Sequence, residues 1–101
     1  MPDVVLEEQA EIDLLEIGRY TARNWDLEQA ERYLRRLQEL FEEIAKGQAL
    51  EKPVFEHRSD LKYSRCQRHV VFFAREDDGR VLIVAILHER MDLVDRLRDR
   101  L

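Results

Sequence analysis

A chain of 101 residues, 45% hydrophobic and 39% charged, has room for one modest core and reads as a single domain over 1–101. Its lone cysteine, Cys66, excludes an internal disulfide and a cysteine-rich zinc site, and makes the cytoplasm the expected compartment. A net charge of −5 argues against a charge-driven nucleic-acid binder, and no segment has the signal-peptide pattern or the roughly 20 apolar residues of a membrane span.

Asp3 to Leu6 forms a short strand candidate, followed by Glu7, Glu8 and Glu11, the negative first turn that a helix N-terminus favours. Leu6, Ala10, Leu14, Ile17 and Thr21 recur at spacings of three or four, with Ile12, Leu15 and Tyr20 widening the apolar face, so a helix runs to about Arg23. Asn24-Trp25-Asp26 breaks it. Asp26 is an N-cap for a second helix, with Gln29 at the capping-box position. Ala30, Tyr33, Leu34, Leu37, Leu40, Phe41 and Ile44 mark its buried face, and Gly47 stops it. So short a connection makes the two helices an antiparallel hairpin. Tyr20, Tyr33 and Phe41 are expected inside that hairpin, and Trp25 as a lid on the core.

Residues 48–59 are expected to be a loop, because Pro53 prevents helix continuation. Beyond it the periodicity changes from about 3.6 to 2. Leu61 to Arg65 alternates, His69 to Ala74 is apolar and aromatic, and Glu76-Asp77-Asp78-Gly79 is a hairpin turn into Arg80–Leu87, giving a three-stranded antiparallel meander. Leu93, Val94, Leu97 and Leu101 then predict a short C-terminal helix with Asp92 as its N-cap.

The run Val81-Leu82-Ile83-Val84-Ala85-Ile86-Leu87 cannot alternate between core and water, so it predicts a strand covered on both faces. His88, Glu89, Arg90 and Asp92 emerge together at its end. A rigid strand end positions side chains well for recognition, and an ordinary solvated terminus accounts for them equally well. Arg90 and Asp92 stand two apart, where an Arg–carboxylate pair would order the strand exit. Residues 1–56 carry a net charge of −7 and residues 57–101 one of +2. Arg58, Lys62, Arg65, Arg68 and Arg75 concentrate the positive charge, a patch suited to an acidic protein surface. No metal-ligand spacing, phosphate-cradling glycine loop or nucleophile–base arrangement is present, so neither metal nor cofactor is expected.

The order β-α-α-β-β-β, with Leu14, Ile17, Tyr20 and Trp25 on the first helix and its exit, resembles the ParE branch of the RelE/ParE toxin superfamily over nearly the whole chain. The most specific piece is Val84-Ala85-Ile86-Leu87-His88-Glu89-Arg90-Met91-Asp92, which is similar to the Ile-Leu-His-x-Arg-x-Asp ending of ParE. The resemblance implies an α+β fold, an antiparallel helical hairpin packed on a small, mainly antiparallel sheet. It also implies a bacterial type II toxin that inhibits DNA gyrase. A ParD-like antitoxin would neutralise it in a hetero-oligomer, heterotetrameric or larger. On that reading His88, Arg90 and Asp92 contribute to the gyrase-directed surface. Arg58, Lys62 and Arg65 form a cationic strip for the antitoxin, and Ile12 and Leu15 border a groove for its helix.

RelE-like relatives are ribosome-dependent mRNA endonucleases, some with a catalytic histidine near this strand end, which keeps His88 open to an acid–base role. Glu89 beside His88 would repel a cleaving phosphate, and no tyrosine follows Tyr63. The expected mode of action is therefore contact, not chemistry.

Overall fold

The computed structural model describes residues 3–101. Strand β1 (Val4–Leu6) leads into helices α1 (Glu8–Asn24) and α2 (Leu27–Ala45). Strands β2 (Lys52–Phe55), β3 (Arg58–Cys66), β4 (His69–Arg75) and β5 (Val81–His88) follow, and α3 (Leu93–Arg98) closes the chain. The sheet order is β1-β5-β4-β3-β2, with β1 parallel to β5 and every other pairing antiparallel. The architecture is α+β. Among the described residues no helix is long and apolar enough to cross a membrane.

Each helix forms where its spacing predicts. Asp26 caps α2 by accepting the Gln29 N–H at 2.7 Å, a contact that contributes about 1 kcal/mol. Gly47 donates its N–H to Ile44 O just past the last turn. A Cβ on Gly18 of α1 would lie 3.1 Å from a Leu34 methyl of α2, so glycine lets the two helices approach closely there. The hairpin's inner face, with Ala10, Ile17, Leu37, Leu40, Phe41 and Ile44, covers one side of the sheet on Val71, Phe73, Val81, Ile83 and Ile86. The other side carries Leu61, Val70, Phe72, Val84, Ala85 and Leu87, and is covered by Leu97 of the short α3.

Strand β5 therefore lies inside the sheet with both faces buried, as its apolar run requires. Phe72 pairs with Ala85 but Phe73 pairs with Ile83, so Val84 is an extra residue, a β-bulge. The bulge puts Val84 and Ala85 on the same face. No polar side chain is thereby turned into a core, because every residue of the run is apolar.

Three expectations are corrected. The segment 48–59 is not simply a loop: Lys52–Phe55 is an edge strand, paired with a β3 that begins at Arg58. Pro53 is compatible with that position because an edge strand leaves one side of its backbone unpaired. Trp25 is no lid, being 68% exposed as the C-cap of α1 at the tip of the hairpin, where there is no sheet to cover. Tyr20 is 62% exposed on the flank of α1, whereas Phe41 is buried and Tyr33 half-buried.

Candidate functional site

A groove of about 1190 Å³ opens between the helical hairpin and the ends of β4 and β5. Its floor holds Ile17, Tyr33, His69, Ile86 and His88, and Trp25 and Tyr20 stand on its rim. Arginines from α2, the β3–β4 turn, the β5 exit and the C-terminal segment also line it. At this end of the sheet Tyr33 of α2 meets His69, and both His69 and His88 are half-buried.

The floor is a linked set of rings. His69 and His88 are cross-strand partners, and their rings meet edge-on with centroids 5.2 Å apart. Tyr33 Oη donates to Cys66 O at 3.2 Å and lies 2.5 Å from His69 Nδ1. Burial pushes the Tyr33 hydroxyl up to about 12. Burial, reinforced by neighbouring His88, pulls His69 down to about 4. Both groups are therefore neutral at pH 7, which suits a hydrogen-bonded pair. His88 Nδ1 accepts the Arg90 N–H at 3.1 Å, which leaves Nε2 as the ring's remaining nitrogen.

The turn that carries Arg68 is strained. Cys66 pairs with His69 across a two-residue loop in which Gln67 adopts φ +51°, a left-handed conformation that glycine takes more readily. Arg68 O then accepts the Glu89 N–H at 2.8 Å, tying this loop to the exit of β5.

Of the residues expected at the target face, His88 and Arg90 line the groove, but Asp92 does not. The anticipated Arg90–Asp92 pair is absent among the described residues. The chain turns after His88 instead of continuing extended, so residues two apart no longer share a side. Asp92 precedes α3 but makes no side-chain cap hydrogen bond.

Arg58, Lys62 and Arg65 do not form one strip. Tyr63 and Leu61 pack in the α3-side core and Cys66 in the hairpin-side core, so alternation along β3 sends Lys62 and Arg65 to opposite faces. Arg58 is held by Asp60 at 3.0 Å and Arg65 by Glu89 at 2.6 Å. Arg75 is also engaged, donating to Ile44 O at the end of α2 and to Glu51. On the hairpin's outer side a second, apolar groove of about 420 Å³ is lined by Leu14, Leu15, Leu27 and Leu34. Leu15 is 58% exposed there, whereas Ile12 lies outside the groove.

Asp13 and Arg100 carry a role the sequence reading missed. Strand β1 is only three residues long and pairs with Val81–Ile83, so the outer edge of β5 beyond Ile83 has no strand beside it. Asp13 Oδ2 accepts the Ile86 N–H at 3.0 Å, and Arg100 Nη1 donates to Val84 O at 3.4 Å. The two side chains join at 2.7 and 2.9 Å in a fork-to-fork pair, standing in for the missing strand. Asp13 falls three residues after Ala10 and four before Ile17 on the apolar stripe of α1, and a carboxylate there demands a partner.

Among the described residues no group of three or more His, Cys, Asp or Glu is placed to hold a metal ion. Cys66 is buried, and burial raises its thiol pKa, which suits packing more than reactivity.

The family model described as the ParE toxin of the type II toxin-antitoxin system parDE matches residues 4–93. Toxin ParE of Escherichia coli is 42% identical over 101 residues, spanning 100% of this chain and 98% of its own length. Toxin ParE1 of Caulobacter vibrioides is 33% identical over 87 residues, covering 86% and 88%. Among solved structures, a chain of the chromosomal ParDE TA system from P. aeruginosa superposes with a TM-score of 0.72 at 14% identity, covering 87% of this chain and 96% of that one. A chain of the YoeB-YefM complex from Staphylococcus aureus does so at 0.57 and 15% identity, covering 87% and 97%. At such identities the two structures show a shared fold.

Proposed function

The chain belongs to the ParE toxin family of type II toxin–antitoxin systems, and we propose that it acts in the cytoplasm by direct contact, binding and inhibiting DNA gyrase until a ParD-like antitoxin neutralises it. The observation that carries this reading is the groove beside β5, where an open cationic rim surrounds rings already engaged with one another. Such a surface is built to dock. Tyr33 and His69 are neutral at pH 7 and satisfy each other, so neither is poised to move a proton to or from a substrate. Glu89 is occupied by Arg65 and keeps a carboxylate next to His88. Arg90, with His88 at its base, is the target-facing group, and its guanidinium is free among the described residues. The apolar groove around Leu15 suits one face of an amphipathic antitoxin helix, in a hetero-oligomer.

A second reading is a RelE-like ribosome-dependent mRNA endonuclease. The remaining nitrogen of His88 and the arginines of the same groove favour it. The two readings separate by purified gyrase supercoiling in the presence of the protein, set beside primer-extension mapping of transcripts after induction. Contact inhibition predicts supercoiling blocked and transcripts intact. Intact supercoiling with transcripts cut at codons would overturn it.

A further inference from the structure

The backbone N–H groups that follow β5 do not all bond in the same way. Glu89 donates to Arg68 O at 2.8 Å and Met91 to His88 O at 3.0 Å, both main-chain contacts. Arg90, between them, donates instead to a side chain, His88 Nδ1, at 3.1 Å. Asp and Asn often build turns in this way, by accepting the N–H two residues on. An imidazole in that role carries a further constraint. The amide can only donate, so Nδ1 must present a lone pair and the neutral ring keeps its proton on Nε2.

The ring is also held from its other side. His88 is the cross-strand partner of His69, and the two rings meet edge-on. His69 Nδ1 is engaged by Tyr33 Oη, which itself donates to Cys66 O. A train of contacts thus runs from α2 through both imidazoles to the backbone of Arg90. The Arg90 side chain is exposed, lines the groove and makes no ion pair among the described residues. Its direction into the groove is therefore set where its backbone is held.

We infer that His88 is a positioning residue for Arg90: fixed as the Nε2–H tautomer, it orders the Arg90 backbone and so aims the guanidinium before the target arrives. Ordering a contact residue in advance lowers the entropy that binding must remove. The neutral ring, with its proton on Nε2, cannot take up another there, so this histidine is not a general base at that nitrogen. The identity of the target rests on the gyrase reading above, whereas the tautomer and the ordered amide do not.

NMR of the full chain labelled with nitrogen-15 tests the arrangement without gyrase, at about pH 8, where an ordinary imidazole is neutral. An N–H···N bond should give a scalar coupling between the Arg90 amide nitrogen and His88 Nδ1, and the ring shifts should report Nε2–H. His88→Phe keeps a ring against His69 but has no acceptor, so the heteronuclear NOE of the Arg90 amide should fall. His88→Asn supplies an oxygen near the place of Nδ1 and should restore most of that NOE. In gyrase supercoiling, His88→Phe, shown folded by circular dichroism, should require about fivefold more protein for half-inhibition, the effect of losing one hydrogen bond. His88→Asn should recover most of that loss. Added to Arg90→Ala, His88→Phe should cost less than about twofold more, because both changes remove one contact. An absent coupling, an Nδ1–H tautomer, or an Arg90 amide equally rigid in His88→Phe would overturn the inference. So would an Asn variant no better than Phe, or a full fivefold loss on top of Arg90→Ala, which would make His88 a target contact in its own right. A parent that leaves gyrase untouched sinks the gyrase reading, and the NMR results then decide the inference by themselves.

Discussion

Acidification should destabilise the protein through His69. Its imidazole is held at about 4 in the folded chain, by burial and by His88 across the strand pair, against an ordinary 6.5 when unfolded. A base with a depressed folded pKa costs nothing above the unfolded value. As pH falls from about 6.5 towards 4 the unfolded chain takes up a proton that the folded chain refuses, and stability drops through that window. The difference between the two values corresponds to about 3 kcal/mol once the window is crossed, and to about 2 kcal/mol at pH 5. His69 is only partly buried, so solvent screening reduces the expected loss at pH 5 to about 1 kcal/mol. Urea unfolding followed by circular dichroism, at about pH 7.5 and about pH 5, measures it in the parent and in His69→Gln. Glutamine keeps a polar group for Tyr33 but does not titrate. The parent should lose about 1 kcal/mol more than the variant over that interval. Equal losses, or a His69 that titrates near 6.5 by NMR in the folded protein, would refute the argument.

Asp13→Ala should cost about 3 kcal/mol in urea unfolding, because it leaves the Arg100 guanidinium and the Ile86 N–H without their partner. Arg100→Ala should cost less, and the double variant should fall well short of the sum, since both single changes break the same pair. Gln67→Gly should raise the denaturation midpoint by the equivalent of about 0.5 kcal/mol, by relieving the left-handed backbone there; an unchanged or lower midpoint would mean the turn stores no such strain. Arg65→Ala, which removes the exposed pair with Glu89, should change stability by less than about 1 kcal/mol despite the 2.6 Å contact.

The two-faced core strand was legible because seven consecutive apolar residues have no other economical placement in a small α+β chain. Its bulge was not, because that same run reads identically before and after a one-residue slip at Val84. Helix α2 was legible from Asp26 to Gly47, where cap, stripe and stop agree. Strand β2 was hidden by Pro53 and by a turn at Glu56-His57 that lacks the usual glycine or asparagine. Trp25 misled because hydrophobicity predicts burial only where something lies opposite, and the tip of a hairpin has nothing opposite. Of the candidate site, His88 and Arg90 were readable from the polarity switch at the end of β5. Tyr33 and His69 stand 36 positions apart, and Asp13 and Arg100 stand 87 apart, so only the fold brings each pair together.

The central claim, that a contact surface beside β5 disables the target, is tested most directly by measuring gyrase supercoiling against rising concentrations of the parent protein and of a folded Arg90→Ala variant. The account predicts inhibition by the parent and a requirement for markedly more of the variant. Equal inhibition by both, or none by the parent, would contradict it.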